Sequence, residues 1–303
     1  MLSSWNDTNT KKALIDFVER VTKEDGPDFV PEPERIAVFD NDGTLWAENP
    51  SYVEGLFAID RMKEMVAEDP SLKESPIFKP FIDKDIEAIH KLGIKGIEQF
   101  VMKTHEADTQ EAFRAIASQW FDKAVYAYYK NPVVKCYYQP QLELLQYLRA
   151  NGFKTFIVTG GGLEFVRAIA EKIYGIPPEQ VIGSSNKITF DLHEKNVAVK
   201  RISELQSFDD REEKVVNISL HIGRRPVFVF GNSDGDLRMM QYCLSGKGPR
   251  IAFLLHHDDA EREMAYDKDF VLSSLNEALE VAGEWGIHIV SMKNDWNKVF
   301  TFE

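Results

Sequence analysis

Short apolar runs without internal polar alternation do most to limit what this chain can fold into. They fall at residues 36–39, 227–230 and 251–255, with a further strand pattern at 153–158 that includes Lys154 and Thr155, and amphipathic helical patterns or linkers separate them. Runs of this length without alternation read as strands buried on both faces, and strands joined through helical crossovers pair in parallel. The helical patterns carry one apolar face each. Leu14, Phe17, Val18 and Val21 mark residues 11–22; Leu142, Leu145 and Leu148 mark a helix ending at Gly152; Phe165, Ile169 and Ile173 mark another closing at Gly175; a fourth lies near 211–222. Glycine just beyond the last turn is a common helix stop. The expected class is α/β, with a doubly wound, Rossmann-like parallel sheet.

Between the first and second of these strands lies a different composition. From about 51 to 130 the pattern is almost wholly helical. Val53, Leu56, Phe57 and Ile59 form one stripe, Asp69-Pro70 interrupts it, IEAIHKL continues it, and a longer pattern spans roughly 109–129. Some 80 residues are too many for a loop in a compact domain. The expectation is an inserted α-helical cap domain at 48–135 on a core made of 1–47 plus 136–303. Residues 181–200 read as a β-hairpin excursion from that core.

The net charge of −13 weighs against nucleic-acid and anionic-membrane partners, which need clustered Lys and Arg. It leaves room for a small anionic substrate held by local donors and a metal. No stretch approaches the ~20 apolar residues of a membrane span. The two cysteines, Cys136 and Cys243, match no metal spacing and suggest a reducing compartment. The segment MLSSWNDTNTKK has no continuous apolar core of a signal peptide, so the expected location is cytoplasmic, or periplasmic if a leader has been removed.

In open α/β sheets, ligands bind beyond the carboxyl ends of the strands. The run at 36–39 ends in Asp40, Asp42, Gly43 and Thr44; that at 153–158 ends in Thr159 and Gly160; that at 227–230 ends in Gly231, Asn232, Asp234 and Asp236. Lys214 opens the helix before the last of these, with Lys200 and Arg201 as competitors for its role. Any one of these segments alone is ordinary turn chemistry. Together they suit transfer of a phosphoryl group to water. One carboxylate attacks phosphorus and a second moves the proton. Mg²⁺ takes oxygen ligands and offsets charge, while hydroxyl, glycine N–H and ammonium groups hold the phosphate oxygens.

The ordered set FDNDGT, VTGG, Lys214 and GNSDGD resembles the haloacid dehalogenase-like hydrolases over about 34–46 and 136–260. The family's Asp-x-Asp-x-Thr/Val motif is matched by Asp40, Asp42 and Thr44, its Ser/Thr by Thr159, and its Lys by Lys214. The resemblance implies that Asp40 is the nucleophile, Asp42 the general acid/base and Mg²⁺ the cofactor. The helical insert and the hairpin are similar to the phosphoserine-phosphatase-like branch. Gly43, Thr44, Gly160 and Trp46 are the candidate phosphate and substrate contacts, with Trp46 as a pocket wall. The metal is expected on Asp40, the Asp42 carbonyl and Asn232, with Asp236 bound directly or through water and Asp234 as an extra candidate.

Asn232 departs from the family, which has an acid there, so one negative ligand is lost. The implied activity is a phosphatase for a small phosphorylated metabolite. A dehalogenase fits less well, since it needs no second acid. A phosphotransferase differs only in the acceptor, and a catalytically silent phosphate-binding protein is the reading that Asn232 favours. His256 and His257 follow a strand and point to opposite faces, so they are expected in a loop or behind the site rather than on one metal. Neither the substrate nor the oligomeric state is readable from the sequence.

Overall fold

The computed structural model describes residues 2–193, 196–267 and 273–303. In chain order it comprises α1 (Asn9–Thr22), β1 (Ile36–Phe39), α2 (Val53–Glu68), α3 (Lys79–Asp83), α4 (Ile86–Thr104), α5 (Gln110–Phe121) and the two-residue strands β2 (Val125–Tyr126) and β3 (Asn131–Pro132). There follow α6 (Gln139–Ala150), β4 (Lys154–Gly162), α7 (Leu163–Arg167), α8 (Ala170–Tyr174), β5 (Val181–His193), β6 (Asn196–Ser207), α9 (Glu212–His221) and β7 (Phe228–Gly231). The chain closes with α10 (Leu237–Leu244), β8 (Ile251–His256), α11 (Glu277–Trp285), β9 (His288–Ser291) and α12 (Met292–Asp295).

Seven strands form one sheet in the order β6-β5-β4-β1-β7-β8-β9. All neighbouring pairs are parallel except β5 with β6. Period-two alternation sends the side chains of β1 to two separate cores. Ala37 and Phe39 join Leu14 and Phe17 of α1 and Leu144 and Leu148 of α6. Ile36 and Val38 join Ile218 of α9, Met239 and Met240 of α10, and Ala278 of α11. Burial on both faces explains why β1 is apolar at every position. The helices between β1 and β4 add a small core of their own, Ala58, Met62, Phe78 and Phe100.

Several expected boundaries move. The pattern expected as one helix over 109–129 ends at Phe121. Its remainder pairs as β2 with β3, where the Tyr126 hydroxyl accepts from the Ser51 N–H at 3.0 Å. Tertiary packing of a β-prone Val-Tyr pair overrides the helical reading there. Leu144, Leu145 and Leu148 are the buried leucines of α6, whereas Leu142 is half-buried. The residues expected as a turn at 159–162 continue β4, with a register shift between Thr159 and Gly162. The helix expected from there to Gly175 is two short ones, broken at Ala168-Ile169. The hairpin expected at 181–200 is longer, 181–207; residues 194–195 lie outside the described residues, and both its strands belong to the main sheet. Among the described residues no helix is long and apolar enough to cross a membrane. Cys136 and Cys243 are buried free thiols.

Candidate active site

The parallel register aligns the strand ends. Phe39 of β1 lies opposite Ile157 of β4 and Phe230 of β7, so the chain leaves all three strands at one edge. Asp40 is anchored there by its N–H on the Phe230 carbonyl at 3.0 Å. The same crossover places Lys214, in the first turn of α9, beneath that edge. Its ammonium donates to Asp40 Oδ1 at 2.6 Å, Asp236 Oδ1 at 2.6 Å and the Val158 carbonyl at 3.0 Å. A buried ammonium with three acceptors has all its hydrogens used. Its residue-to-residue spacing from Asp40 and Asp236 singles out Lys214 over Lys200, which pairs with Asp191 and Asp108 on the surface.

The loop after β1 turns tightly. The Asn41 carbonyl accepts the N–H groups of Thr44 and Leu45, and the Gly43 N–H reaches the Trp46 carbonyl at 2.9 Å. Gly43 has φ +72°, and a Cβ there would overlap Asn232 Nδ2 and the Glu48 carboxylate. Left-handed strain and this overlap act together, so Gly43→Ala is expected to destabilise the protein by about 2–4 kcal/mol in urea unfolding. A loss below ~1 kcal/mol would show that the loop relaxes. Both main-chain groups of Gly43 are committed, its carbonyl to His257 Nε2 at 2.8 Å, so its expected role as a phosphate contact is not what the structure shows.

Trp46 is also placed differently from the expected pocket wall. It is buried against Phe121 and Tyr174, and its indole N–H donates to Asp42 Oδ1 at 2.8 Å. Trp46 therefore holds the second acid of the loop in place. Burial pushes the Asp42 carboxyl up to about 7 against the opposing Trp46 hydrogen bond, and the charges of Glu48 and Glu54 add to the rise. Burial, then the Asp236 charge, also raises Asp40, despite Lys214. Lys214 is held charged: burial opposes it, but Asp236 and Asp40 outweigh that penalty.

Thr44 is buried, and its hydroxyl donates to Asn232 Oδ1 at 2.9 Å. The Asn232 amide donates to Glu48 Oε1 at 2.9 Å, and Glu48 also accepts from the hydroxyls of Tyr266 and Ser273 at 2.7 Å each. Asp236 takes Lys214 on one oxygen and the N–H groups of Asn232 and Ser233 on the other, at 2.9 and 3.1 Å. Asp234, the extra metal candidate, instead accepts the N–H groups of Asn276 at 3.0 Å and Ala278 at 2.9 Å at the start of α11. Thr159 is buried and its Oγ1 accepts from the Gly161 N–H at 3.0 Å; the Gly160 carbonyl accepts from the Ser184 hydroxyl at 2.7 Å. His257 lies behind the loop, linking Gly43 to Glu263, while His256 is half-buried at the end of β8.

Two acids were missed in the sequence. Glu48 is fully buried, and burial raises its carboxyl. Its partners come from positions 232, 266 and 273, so no local pattern separates it from an ordinary loop acid. Glu54, on α2, reaches across to accept the Gly162 N–H at 2.8 Å.

A divalent cation can be tested against this donor set. The buried carboxylates of Asp40, Glu48 and Asp236 and the half-buried one of Asp42 lie close together, only Asp40 and Asp236 are bonded to the Lys214 ammonium, and desolvation raises Asp40, Asp42 and Glu48. Excess buried negative charge among oxygen donors fits a hard cation. Among the described residues no three His, Cys, Asp or Glu side chains form a ready-made metal cage. The fit therefore depends on amide and main-chain oxygens beside a carboxylate.

A sequence model of haloacid dehalogenase-like hydrolases matches residues 37–241. The chain belongs to the haloacid dehalogenase-like hydrolase family. A protein described as conserved and functionally unknown, from Anaerococcus prevotii, is similar in structure at TM-score 0.59 and 15% identity, over 95% of this chain and 93% of that one. A protein of unknown function from Bordetella pertussis is similar at TM-score 0.52 and 15% identity, over 85% and 98%. At such identities the likeness is one of fold. No curated protein matches the chain.

In this haloacid dehalogenase-like hydrolase the site borders a cavity of about 500 Å³. The cavity lies between the helices that follow β1 and the β4–β6 end of the sheet. Glu54, Gly160 and Gly162 form its inner end. A Cβ on Gly161 would sit 3.3 Å from Asp42 Oδ2, 3.3 Å from Glu54 Oε2 and 3.4 Å from Thr159 Oγ1. Gly161, between two residues of the cavity lining, thus lies beside these carboxylates.

Proposed function

We propose that the protein is a Mg²⁺-dependent phosphatase that hydrolyses a phosphomonoester through an aspartyl-phosphate. The observation that carries this reading is the buried Asp40–Lys214–Asp236 cluster, with Asp42, which burial pushes up to about 7, oriented beside it by the Trp46 indole. Lys214 engages Asp40 Oδ1, which leaves Oδ2 as the attacking oxygen. As the new O–P bond forms, the ester P–O bond breaks and the departing alkoxide takes the Asp42 proton. Water then attacks phosphorus, gives its proton back to Asp42, and releases phosphate and free Asp40. Thr159 and the end of β4 at Gly160–Gly161 border the position of the phosphate oxygens. Mg²⁺, on Asp40, the Asp42 carbonyl and Asn232, would supply charge compensation for nucleophile and phosphate. Glu48 adds a carboxylate behind Asn232, which offsets the missing acid at that position. The helices of 48–135 act in this reading as a cap that excludes bulk water.

Phosphate release from phenyl phosphate, dependent on added Mg²⁺ and lost with a chelator, tests the reading. Asn232 supports a second one, because its oxygen is already engaged by Thr44. On that reading Mg²⁺ promotes binding of inorganic phosphate while no ester is turned over.

The proton inventory makes a pH prediction. Asp42 must be protonated for the first step, so turnover of an alkyl phosphate, a poor leaving group, is expected to fall as pH rises past about 7. Nitrophenyl phosphate needs no such proton and should lack this limb. The Trp46 N–H stabilises the ionised form, so Trp46→Phe is expected to move the limb up by about one unit. An unmoved limb would remove Asp42 as the acid.

A further inference from the structure

The wall of the cavity described above says what kind of alcohol the ester carries. Val101, Met102, Phe113, Leu163, Phe165 and Leu205 provide most of the apolar lining. Its ionic groups other than Glu98 are paired within the protein. Glu164 is clamped by Arg114, at 2.9 and 2.6 Å, and by Arg167 at 2.8 Å. Arg201 donates to Gln110 at 2.8 Å and Asn186 at 2.9 Å, and lies over the Phe113 ring at 4.4 Å. Glu98 stands exposed at the rim.

Glu54 is the remaining acid, and it pairs with His105. His105 Nδ1 lies 2.7 Å from the Val101 carbonyl, which can only accept, so that nitrogen carries hydrogen. Nε2 is 2.9 Å from Glu54 Oε1, and Glu54 Oε2 accepts the Gly162 N–H at 2.8 Å. Both oxygens of this acid are thus engaged within the protein.

We propose that the substrate is the phosphate ester of an uncharged, predominantly apolar alcohol, aryl or bulky alkyl, whose body fills this cavity while the phosphate sits at Asp40. The occupant follows from proximity, because Gly160 and Gly162 line the cavity and Gly161 between them lies beside Asp42, the acid proposed to protonate the departing oxygen. Its size follows from the volume, which lies within the ~300–1,000 Å³ of ligand pockets and far exceeds a serine- or choline-sized alcohol. This specificity rests on the phosphatase reading for its chemistry, though not for its fit.

Two esters with similar leaving groups, 2-naphthyl and phenyl phosphate, provide the test, with 2-naphthol as a fluorescent probe that needs no turnover. The wild type is expected to favour the naphthyl ester about tenfold in kcat/KM, chiefly through KM, and to bind 2-naphthol saturably. Val101→Trp on α4 and Leu205→Trp on β6 each fill the cavity and should remove both the preference and the binding. Leu220→Trp adds the same bulk on the exposed face of α9 and should change neither. Equal kcat/KM for the two esters, absent 2-naphthol binding, or binding that survives both cavity variants overturns the apolar site. Binding that is lost in both variants, with no ester hydrolysed, upholds the apolar site and overturns the phosphatase reading.

Discussion

Asp40→Asn is expected to lower phosphate release by about 10⁴-fold or more while leaving the metal-free protein at least as stable as the wild type. Both halves follow from the same burial. The amide keeps the shape of the side chain and an oxygen for Lys214, yet it lacks the nucleophilic carboxylate. It also relieves a charge that burial and Asp236 make unfavourable. The sign with pH is fixed by linkage. A carboxyl whose folded pKa is raised contributes stability at low pH and loses it as pH rises through that value. The stability gain of the variant is therefore expected to be largest at neutral and alkaline pH, and to vanish below the ordinary Asp value of 3.8. Steady-state phosphate release with Mg²⁺, and urea unfolding in a chelator at pH 4 and pH 8, measure the two halves. Retained turnover removes Asp40 as nucleophile. A loss of stability at pH 8 would mean that Asp40 is chiefly structural, and that the trade of stability for function expected of such sites is absent here.

The parts of this site that were legible in the sequence share one property: a strand end dictates them. Asp40, Thr159 and Asn232 were readable because an apolar run stops just before them, although β4 itself runs on to Gly162, and in a parallel sheet all such stops face one edge. Lys214 was readable as the lysine opening the helix that feeds β7. What lay outside the sequence was how the side chains pair once assembled. The indole of Trp46 turns inward to Asp42, which an aromatic two residues past Thr44 does not announce. Asp234 and Asp236 sit two apart in one acidic loop, yet one caps α11 and the other meets Lys214. Their separation depends on where α11 packs, a contact made more than 40 residues later. Helix boundaries failed for a similar reason. Val125-Tyr126 continues the periodicity of α5, and only pairing with Asn131-Pro132 makes it a strand.

Lys214→Met should be the most damaging substitution at neutral pH. Methionine matches the length and apolar stem of lysine, so the core contacts of the side chain are largely kept. The ammonium, however, is the bridge between Asp40 and Asp236, both buried and each 2.6 Å from it. Removing one partner from a buried ionic cluster typically costs about 3–5 kcal/mol, because the remaining charges keep their desolvation penalty and lose their compensation. Here two like charges are left facing each other, so Asp40 titrates higher still than in the wild type. A raised folded pKa makes the missing stability return on acidification. The deficit in urea unfolding is expected to be near its full size at pH 8 and to shrink towards pH 4. The double variant Asp40→Asn, Lys214→Met should recover part of the loss at pH 8, since it removes one of the two stranded carboxylates. A deficit equal at both pH values, and additive with Asp40→Asn, would show that Lys214 contributes packing alone. In that case the charge balance on which the proposed catalysis depends would have to come from elsewhere in the loop.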